Sequence, residues 1–403
     1  MFKNPNIKTQ KIKGANLLIN TENSAVVGLD DKTFNDYLEI LEDNTVNENL
    51  YNFLVENEFI KKNNDFGRDY SPKNAYIHIT DRCNLKCNGC YSADERYDKQ
   101  ELSLDDLNKV IDNLKSLKLE NIIISGGEPM IRKDLDKILE KIKNQLKPKN
   151  LIVITNGTIH DFNLLENMAK HLDILSVSLD TYSSDCRAFL REEKIFDRIM
   201  YFIKKAKELK INLSILPTIN HQNIDYINEY TKLSKKLDTN ISFSLFTVKP
   251  DEKNKEFVLN DDDLKKIVDY YRVNEIEVLD APLDNSLEGK CNCKTGEQII
   301  SVGTDGSLYP CHMLMEDEFK IGNLLKGDAL NLLIYNENKE YSITVDDING
   351  CRNCEFKYLC GGGCRARAYL NTDKITSRDP FCPMYYDFFS EIMNNLVAGN
   401  VNG

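Results

Sequence analysis

This 403-residue sequence contains no apolar run of the length a membrane helix needs, and its first twenty residues, where Lys, Asn and Gln alternate with short apolar stretches, hold no signal-peptide core. Membrane insertion and secretion are therefore not expected, and a cytoplasmic location is. An excess of positive charge is missing too. With 52 basic residues against 64 acidic ones the formal net charge is −12, so no broad field draws a phosphate backbone and a general nucleic-acid role is disfavoured. What remains is a chain that is 41% hydrophobic and 29% charged, ordinary for a soluble protein. It is longer than one compact core usually holds, which predicts two or three domains.

Cysteine is plentiful, at twelve residues. A reducing compartment keeps thiols free and large domains seldom need disulfides, so the grouping of these residues carries the information. Cys83, Cys87 and Cys90 form one group, Cys291, Cys293 and Cys311 a second, and Cys351, Cys354, Cys360 and Cys364 a third with Cys382 beyond; Cys186 stands alone. Spacings of two, three and five residues suit loops wrapped around a metal centre.

Between the first two groups the chain repeats a strand and helix unit. Strand-like runs occur at 75–80, 121–127, 151–157, 174–180, 212–219 and 241–248, separated by amphipathic patterns such as that following Ser103, and others near 132–146, 192–210 and 261–273. Six such units predict an α/β fold with parallel strands and right-handed crossovers, as a barrel-like or doubly wound sheet. Ligands of such sheets sit at the carboxyl ends of the strands. The stretches CNLKCNGC, GGEP, TNG and SLD all fall there.

The first group reads Cys-x3-Cys-x2-Cys followed by Tyr91. A cubane iron–sulfur cluster takes four thiolates, so three leave one iron open. A strand followed by this spacing and an aromatic residue resembles the signature of the radical S-adenosylmethionine (SAM) enzymes. The resemblance implies a partial (β/α)6 barrel in which SAM chelates the open iron and is cleaved to a 5'-deoxyadenosyl radical. It carries Gly126, Gly127 and Glu128 of GGEP over to the SAM amino group, Ser178 and Asp180 of SLD to its ribose and methionine portion, and Tyr91 to its adenine. Asn156 of TNG lines the same cavity without an assigned partner. A structural zinc is the plainer alternative.

The last third is similar to the SPASM extension of that family, which holds two auxiliary [4Fe-4S] clusters. By resemblance Cys351, Cys354, Cys360 and Cys382 ligate an outer cluster, and Cys293, Cys311 and Cys364 an inner one. Relatives with full ligation have a further cysteine some residues before the position of Cys293. Here only Cys291 is on offer, one residue away, and it either completes the inner set or leaves a second open iron. A zinc ribbon is again the alternative. Cys186 is expected to be a buried, inert thiol.

Residues 1–62 read as strands about a turn at NTENS followed by two amphipathic helices, 31–41 and 46–60. This resembles the winged-helix-like, PqqD-like module that captures leader peptides of ribosomally made peptides by strand addition. The expected organisation is thus a recognition module over 1–62, a radical SAM core over 73–285 and a SPASM domain over 286–395. The implied function is oxidative peptide maturation, a thioether or other crosslink being favoured, with a precursor peptide and a low-potential reductant such as flavodoxin or ferredoxin as partners. Two alternatives stand: an anaerobic sulfatase-maturating enzyme, and a non-catalytic iron–sulfur electron carrier. Sulfatase-maturating relatives have an aspartate base immediately after the cysteine matching Cys311, where this chain has His312, a residue that can also take a proton.

Overall fold

The structure, a computed structural model, describes residues 4–42, 44, 47–60, 71–90, 101–187, 189–192, 194–274, 278, 287–336 and 340–399. The chain forms two compact units: Met1–Asp69, Pro282–Cys293 and Ile343–Gly403 make one, Tyr70–Ala281 and Lys294–Ser342 the other.

The first unit opens with a three-stranded antiparallel sheet in the order β1 (Ile7–Ile12), β2 (Ala15–Asn20), β3 (Val26–Leu29). β2 and β3 are the two strands expected around NTENS. β1 was not expected: its Lys8, Thr9, Gln10 and Lys11 give no apolar alternation, and its ladder to β2 is what makes it a strand. Helices α1 (Asp31–Leu41) and α2 (Glu48–Glu56) start where Asp30 and Asn47 accept hydrogen bonds from the backbone N–H groups of Thr33 and Leu50. Their Tyr37, Ile40, Leu50 and Leu54 bury against Leu18, Phe59 and Ile60, giving this region a core of its own.

The second unit is built on a nine-stranded, mainly parallel sheet. β4 (Asn74–His78), β5 (Asn121–Ser125), β6 (Asn150–Thr155), β7 (Ile174–Ser178) and β8 (Leu213–Leu216) lie side by side in chain order. The run at 212–219 does not continue as one strand. Pro217 has no N–H to give the ladder, so the chain resumes as β9 (Thr218–Ile219), and the last run splits likewise into β10 (Asn240–Ile241), beside β8, and β11 (Ser244–Leu245), beside β9. On the other side of β4 the sheet gains β12 (Ile299–Val302), parallel to it, and the antiparallel β13 (Ser307–Tyr309) and β14 (Gly322–Asn323). These lie within the cysteine-rich stretch, and β12 is a short apolar run whose place in the sheet no local pattern announces.

Helices α3 (Leu104–Leu114), α4 (Leu135–Gln145), α5 (Phe162–Met168), α6 (Phe196–Glu208), α7 (Ile227–Leu237) and α8 (Asp261–Asn274) fill the crossovers. α3 shows the logic: Ser103 caps it by accepting from Asp106 N, and Leu107, Val110, Ile111 and Leu114 form its buried stripe. Each such aliphatic side chain contributes roughly 1.5–3 kcal/mol on burial. α5 and α7 fill crossovers for which the sequence gives no helix position; α5 is only seven residues, and the buried face of α7 includes Tyr230 and Ser234, which dilute its apolar signal. The first unit ends in α10 (Lys357–Cys360), α11 (Arg365–Thr372) and α12 (Cys382–Gly399), with α9 (Ala329–Ile334) preceding them in the second. Among the described residues no helix is long and apolar enough to cross a membrane.

Candidate functional site

The three thiols Cys83, Cys87 and Cys90 lie in the loop that leaves the carboxyl end of β4, and all three are partly buried. GGEP braces the start of that loop. Gly127 N donates to Thr80 O at 2.7 Å and Glu128 N to Arg82 O at 2.8 Å. A Cβ on Gly126 would lie 2.2 Å from Thr80 O, and one on Gly127 2.2 Å from Arg82 O. Both glycines are therefore required by a backbone approach that no side chain permits. The Glu128 carboxylate is buried and accepts from Met130 N (3.1 Å), Thr155 Oγ1 (2.7 Å) and Asn156 N (2.7 Å). Burial raises its pKa against the pull of those donors.

From Glu128 the hydrogen bonds run on through TNG to the thiols. Asn156 Nδ2 donates to Asn84 Oδ1 at 2.9 Å and stands 3.9 Å from Cys83 Sγ, and Asn84 Nδ2 donates to Thr158 Oγ1 at 2.8 Å. Asn156, left without a partner by the sequence, thus clamps the thiol loop. SLD holds it from the other side. Asp180 Oδ2 accepts from the N–H groups of Phe189 (3.0 Å), Leu190 (2.7 Å) and Arg191 (2.9 Å), and Leu190 O accepts from Asn88 N at 2.7 Å. Ser178 is half-buried at the end of β7. Tyr91 lies outside the described residues.

This folding-back of 189–191 brings in a residue that sequence reasoning missed. The Arg191 charge acts on both Cys87 and Glu128, and its buried Nε has no hydrogen-bond partner among the described residues. Burial pushes the Cys87 thiol up to about 11, opposed by Arg191 and reinforced by Cys90 and Cys83. Three thiols that influence one another beside a fixed cation suit an anionic cluster and a carboxylate-bearing ligand. The sequence signal is an arginine eleven residues after Asp180, with Arg187 four residues before it. Cys186 packs with Phe189, Leu190, Phe246 and Phe257, and its thiol donates to Arg187 O at 3.3 Å, a structural setting.

In the first unit, Cys351, Cys354, Cys360 and Cys382 line one cavity of about 260 Å³ together with Arg378 and Tyr385. Among the described residues no three His, Cys, Asp or Glu side chains close on a single metal ion. A cubane, whose thiolates each reach a different iron, needs them spread around a space of this kind. The turn between Cys360 and Cys364 is three glycines, all at positive φ, and a Cβ on Gly363 would meet Asp379 Oδ2 at 2.5 Å. Cys364 lies outside that cavity; its Sγ faces Arg367 N at 3.5 Å, burial pushes its thiol up to about 11 with Cys293 adding to the rise, and Cys291 O accepts from Val345 N at 2.6 Å.

Cys311 belongs to the second unit, after β13, with Met313 N 3.5 Å from its sulfur. His312 stacks on Tyr76 of β4 with ring centroids 4.1 Å apart. Tyr76 and His78 point from the same face of that strand. Burial, and then the charge of His312, push the His78 imidazole down to about 3.

Residues 77–233 match the Radical SAM superfamily. The cysteine-type anaerobic sulfatase-maturating enzyme of Clostridium perfringens is 23% identical over 367 residues, which cover 79% of this chain and 96% of that protein. The solved structure of anSMEcpe with bound AdoMet has a TM-score of 0.65 and 20% identity, covering 82% of this chain and 96% of that one. SuiB of Streptococcus suis bound to S-adenosylmethionine has a TM-score of 0.65 and 19% identity, covering 95% of this chain and 100% of that one. Further structures hold anSMEcpe with a Kp18Cys peptide and SuiB with its precursor peptide SuiA.

Proposed function

We propose, from the premise that residues 77–233 are a domain of the Radical SAM superfamily and the chain a radical SAM enzyme, that its substrate is a ribosomally made peptide, oxidatively modified, with a thioether or other crosslink as the favoured product. The observation that carries this reading is coverage. The likeness to SuiB, solved with a precursor peptide, takes in 95% of this chain, while that to anSMEcpe takes in 82%. With so little left out of the former, most of the amino-terminal sheet and helices fall within it. We read 1–62 as a leader-binding module, 73–285 as the radical core and 286–395 as the auxiliary-cluster domain.

When bound, SAM and its [4Fe-4S] cluster supply a 5'-deoxyadenosyl radical that abstracts hydrogen from the substrate. The chain's part is to hold and orient. Cys83, Cys87 and Cys90 would hold the cluster, kept in place by the Glu128–Asn156–Asn84 hydrogen bonds and the Asp180-bound loop. The glycines at 126 and 127 let this strand end pack directly on the Thr80 and Arg82 carbonyls at the base of the thiol loop, Ser178 lies at the adjoining strand end, and the Arg191 cation suits the SAM carboxylate. Two auxiliary clusters are assigned to Cys351, Cys354, Cys360 and Cys382, and to Cys291, Cys293, Cys311 and Cys364. His312 is the candidate base, and an external low-potential reductant the electron source.

Formylglycine formation is the second reading, favoured by the curated Clostridium relative. Co-expression with short cysteine-rich reading frames flanking the gene, followed by mass spectrometry, separates the two. Loss of two hydrogens per crosslink, dependent on Cys87, is the expected result. An unmodified precursor together with formylglycine in a co-expressed sulfatase would overturn the peptide reading.

A further inference from the structure

We propose that Arg365 and Arg378 are the countercharges of the outer auxiliary cluster, and that together they favour its reduced state and so set its potential. This rests on the assignment of Cys351, Cys354, Cys360 and Cys382 to one [4Fe-4S] cluster and adds the groups that tune it.

A [4Fe-4S] cluster held by four thiolates is an anion, and taking up one electron adds a further negative charge without breaking a bond. A cation or an N–H beside its sulfurs therefore stabilises the reduced state more than the oxidised one. Most charged groups around the cavity already have a partner. Asp379, the carboxylate among the lining residues, is occupied by Arg367 and by the N–H groups of Cys364 and Phe381. Lys357, also in the lining, pairs with Asp346 at 2.7 Å. Arg365 and Arg378 meet no carboxylate among the described residues; their hydrogen bonds go to backbone carbonyls and to a thiol.

Arg378 acts from the solvent side. It is exposed, lines the cavity and donates to Cys382 Sγ, and its charge also reaches Cys351 and Cys354. Arg365 acts from behind the wall. It is 1% exposed, its Nη1 donates to Ile375 O at 2.9 Å and to Ser377 O at 2.7 Å, and its Nη2 donates to Gly362 O. Those carbonyls satisfy its hydrogen bonds without cancelling its charge, and a buried cation is costly unless an anion offsets it. Its charge reaches Cys351. Gly362, at φ +87°, links the two sides: its carbonyl accepts from Arg365 while its N–H donates to Cys360 Sγ. Arg365 thus also fixes the turn that aims an N–H at a thiol of the set.

The test is a potentiometric titration with dithionite of the full-length, anaerobically reconstituted enzyme, followed by electron paramagnetic resonance. Cys382→Ser identifies the outer-cluster component by altering or removing it. At a fixed potential, Arg378→Gln should lower the ratio of reduced to oxidised outer cluster about tenfold, a shift of about 59 mV to more negative potential. Arg378→Lys, which keeps the charge, should lower it by less than about threefold, and Arg378→Glu by more than the glutamine variant. Because Arg378 is exposed, the glutamine effect should shrink as ionic strength rises from about 0.05 M to about 0.5 M. Arg365→Gln should lower the ratio at least about tenfold with no such salt dependence, and the Arg378 series keeps the proposal testable if that buried variant misfolds. The other two components should keep their potentials. An outer-cluster potential indifferent to all three Arg378 variants, or one that moves only together with the other components, would overturn the proposal and leave the cluster assignment standing. A Cys382→Ser enzyme with every component intact would overturn both.

Discussion

Truncating Asp379 to Ala should be among the most damaging single changes outside the thiols. Arg367 and Asp379 are each 1% exposed and meet in two places, Nε to Oδ1 at 2.8 Å and Nη2 to Oδ2 at 3.2 Å. Arg367 Nη2 also donates to Tyr385 Oη at 3.0 Å, and its guanidinium lies 3.9 Å from the centre of the Phe381 ring. The carboxylate further accepts from Cys364 N at 2.6 Å and Phe381 N at 2.9 Å, tying the glycine turn to the segment before Cys382. Its removal leaves a buried cation uncompensated, at about 3–5 kcal/mol. Replacing both partners, Arg367→Met with Asp379→Leu, removes the two desolvated charges together and should recover all but about 1–3 kcal/mol for the orphaned amides. The assay is urea unfolding followed by tyrosine fluorescence, since the chain has 19 Tyr and no Trp. With a slope of about 2–3 kcal/mol/M, the single variant's midpoint should drop by about 1–2 M. A drop below about 0.3 M, or a double variant as unstable as the single, would refute the reasoning.

Three further outcomes are expected. Cys87→Ala should abolish formation of 5'-deoxyadenosine while lowering iron content by only about one third, because the other thiol groups stand elsewhere in the chain; loss of all iron would contradict separate sites. Gly127→Ala, whose Cβ would meet Arg82 O at 2.2 Å, should slow SAM cleavage by about a hundredfold through displacement of the thiol loop, and an unchanged rate in the same assay would show that the approach is not needed. His78 has its pKa lowered from 6.5 to about 3 by burial and His312. Its folded state binds the proton more weakly than the unfolded one, so stability present above about pH 6.5 is lost as pH falls toward about 3, by about 4–5 kcal/mol in total. His78→Gln should therefore shift the acid-unfolding midpoint, followed by far-UV circular dichroism, to lower pH; no shift would mean that His78 does not titrate on unfolding.

The sequence by itself determined what is local. Cys83, Cys87 and Cys90 lie within eight residues of one loop, so their chemistry and their proximity come from the same short stretch. The parallel strands were legible because β5, β6 and β7 are apolar runs ending in GGEP, TNG and SLD. Tertiary structure decided whatever depends on distant partners. Glu128 and Asp180 read as ligand contacts in one dimension; in three, Glu128 and the Oδ2 of Asp180 accept the hydrogen bonds that hold the thiol loop, while the buried Oδ1 of Asp180 has no hydrogen-bond partner among the described residues. Arg191 is an ordinary loop arginine until Asp180 gathers the three N–H groups around it and turns the cation toward Cys87. The split at Pro217, the seating of β12 beside β4 and the polar β1 likewise follow from which strand offers a hydrogen-bonding edge. A chain records the groups it carries, but whether a group is already satisfied is a property of its neighbours. That is why the thiol spacing could be read directly, while the hold of Asp180 on the thiol loop could not.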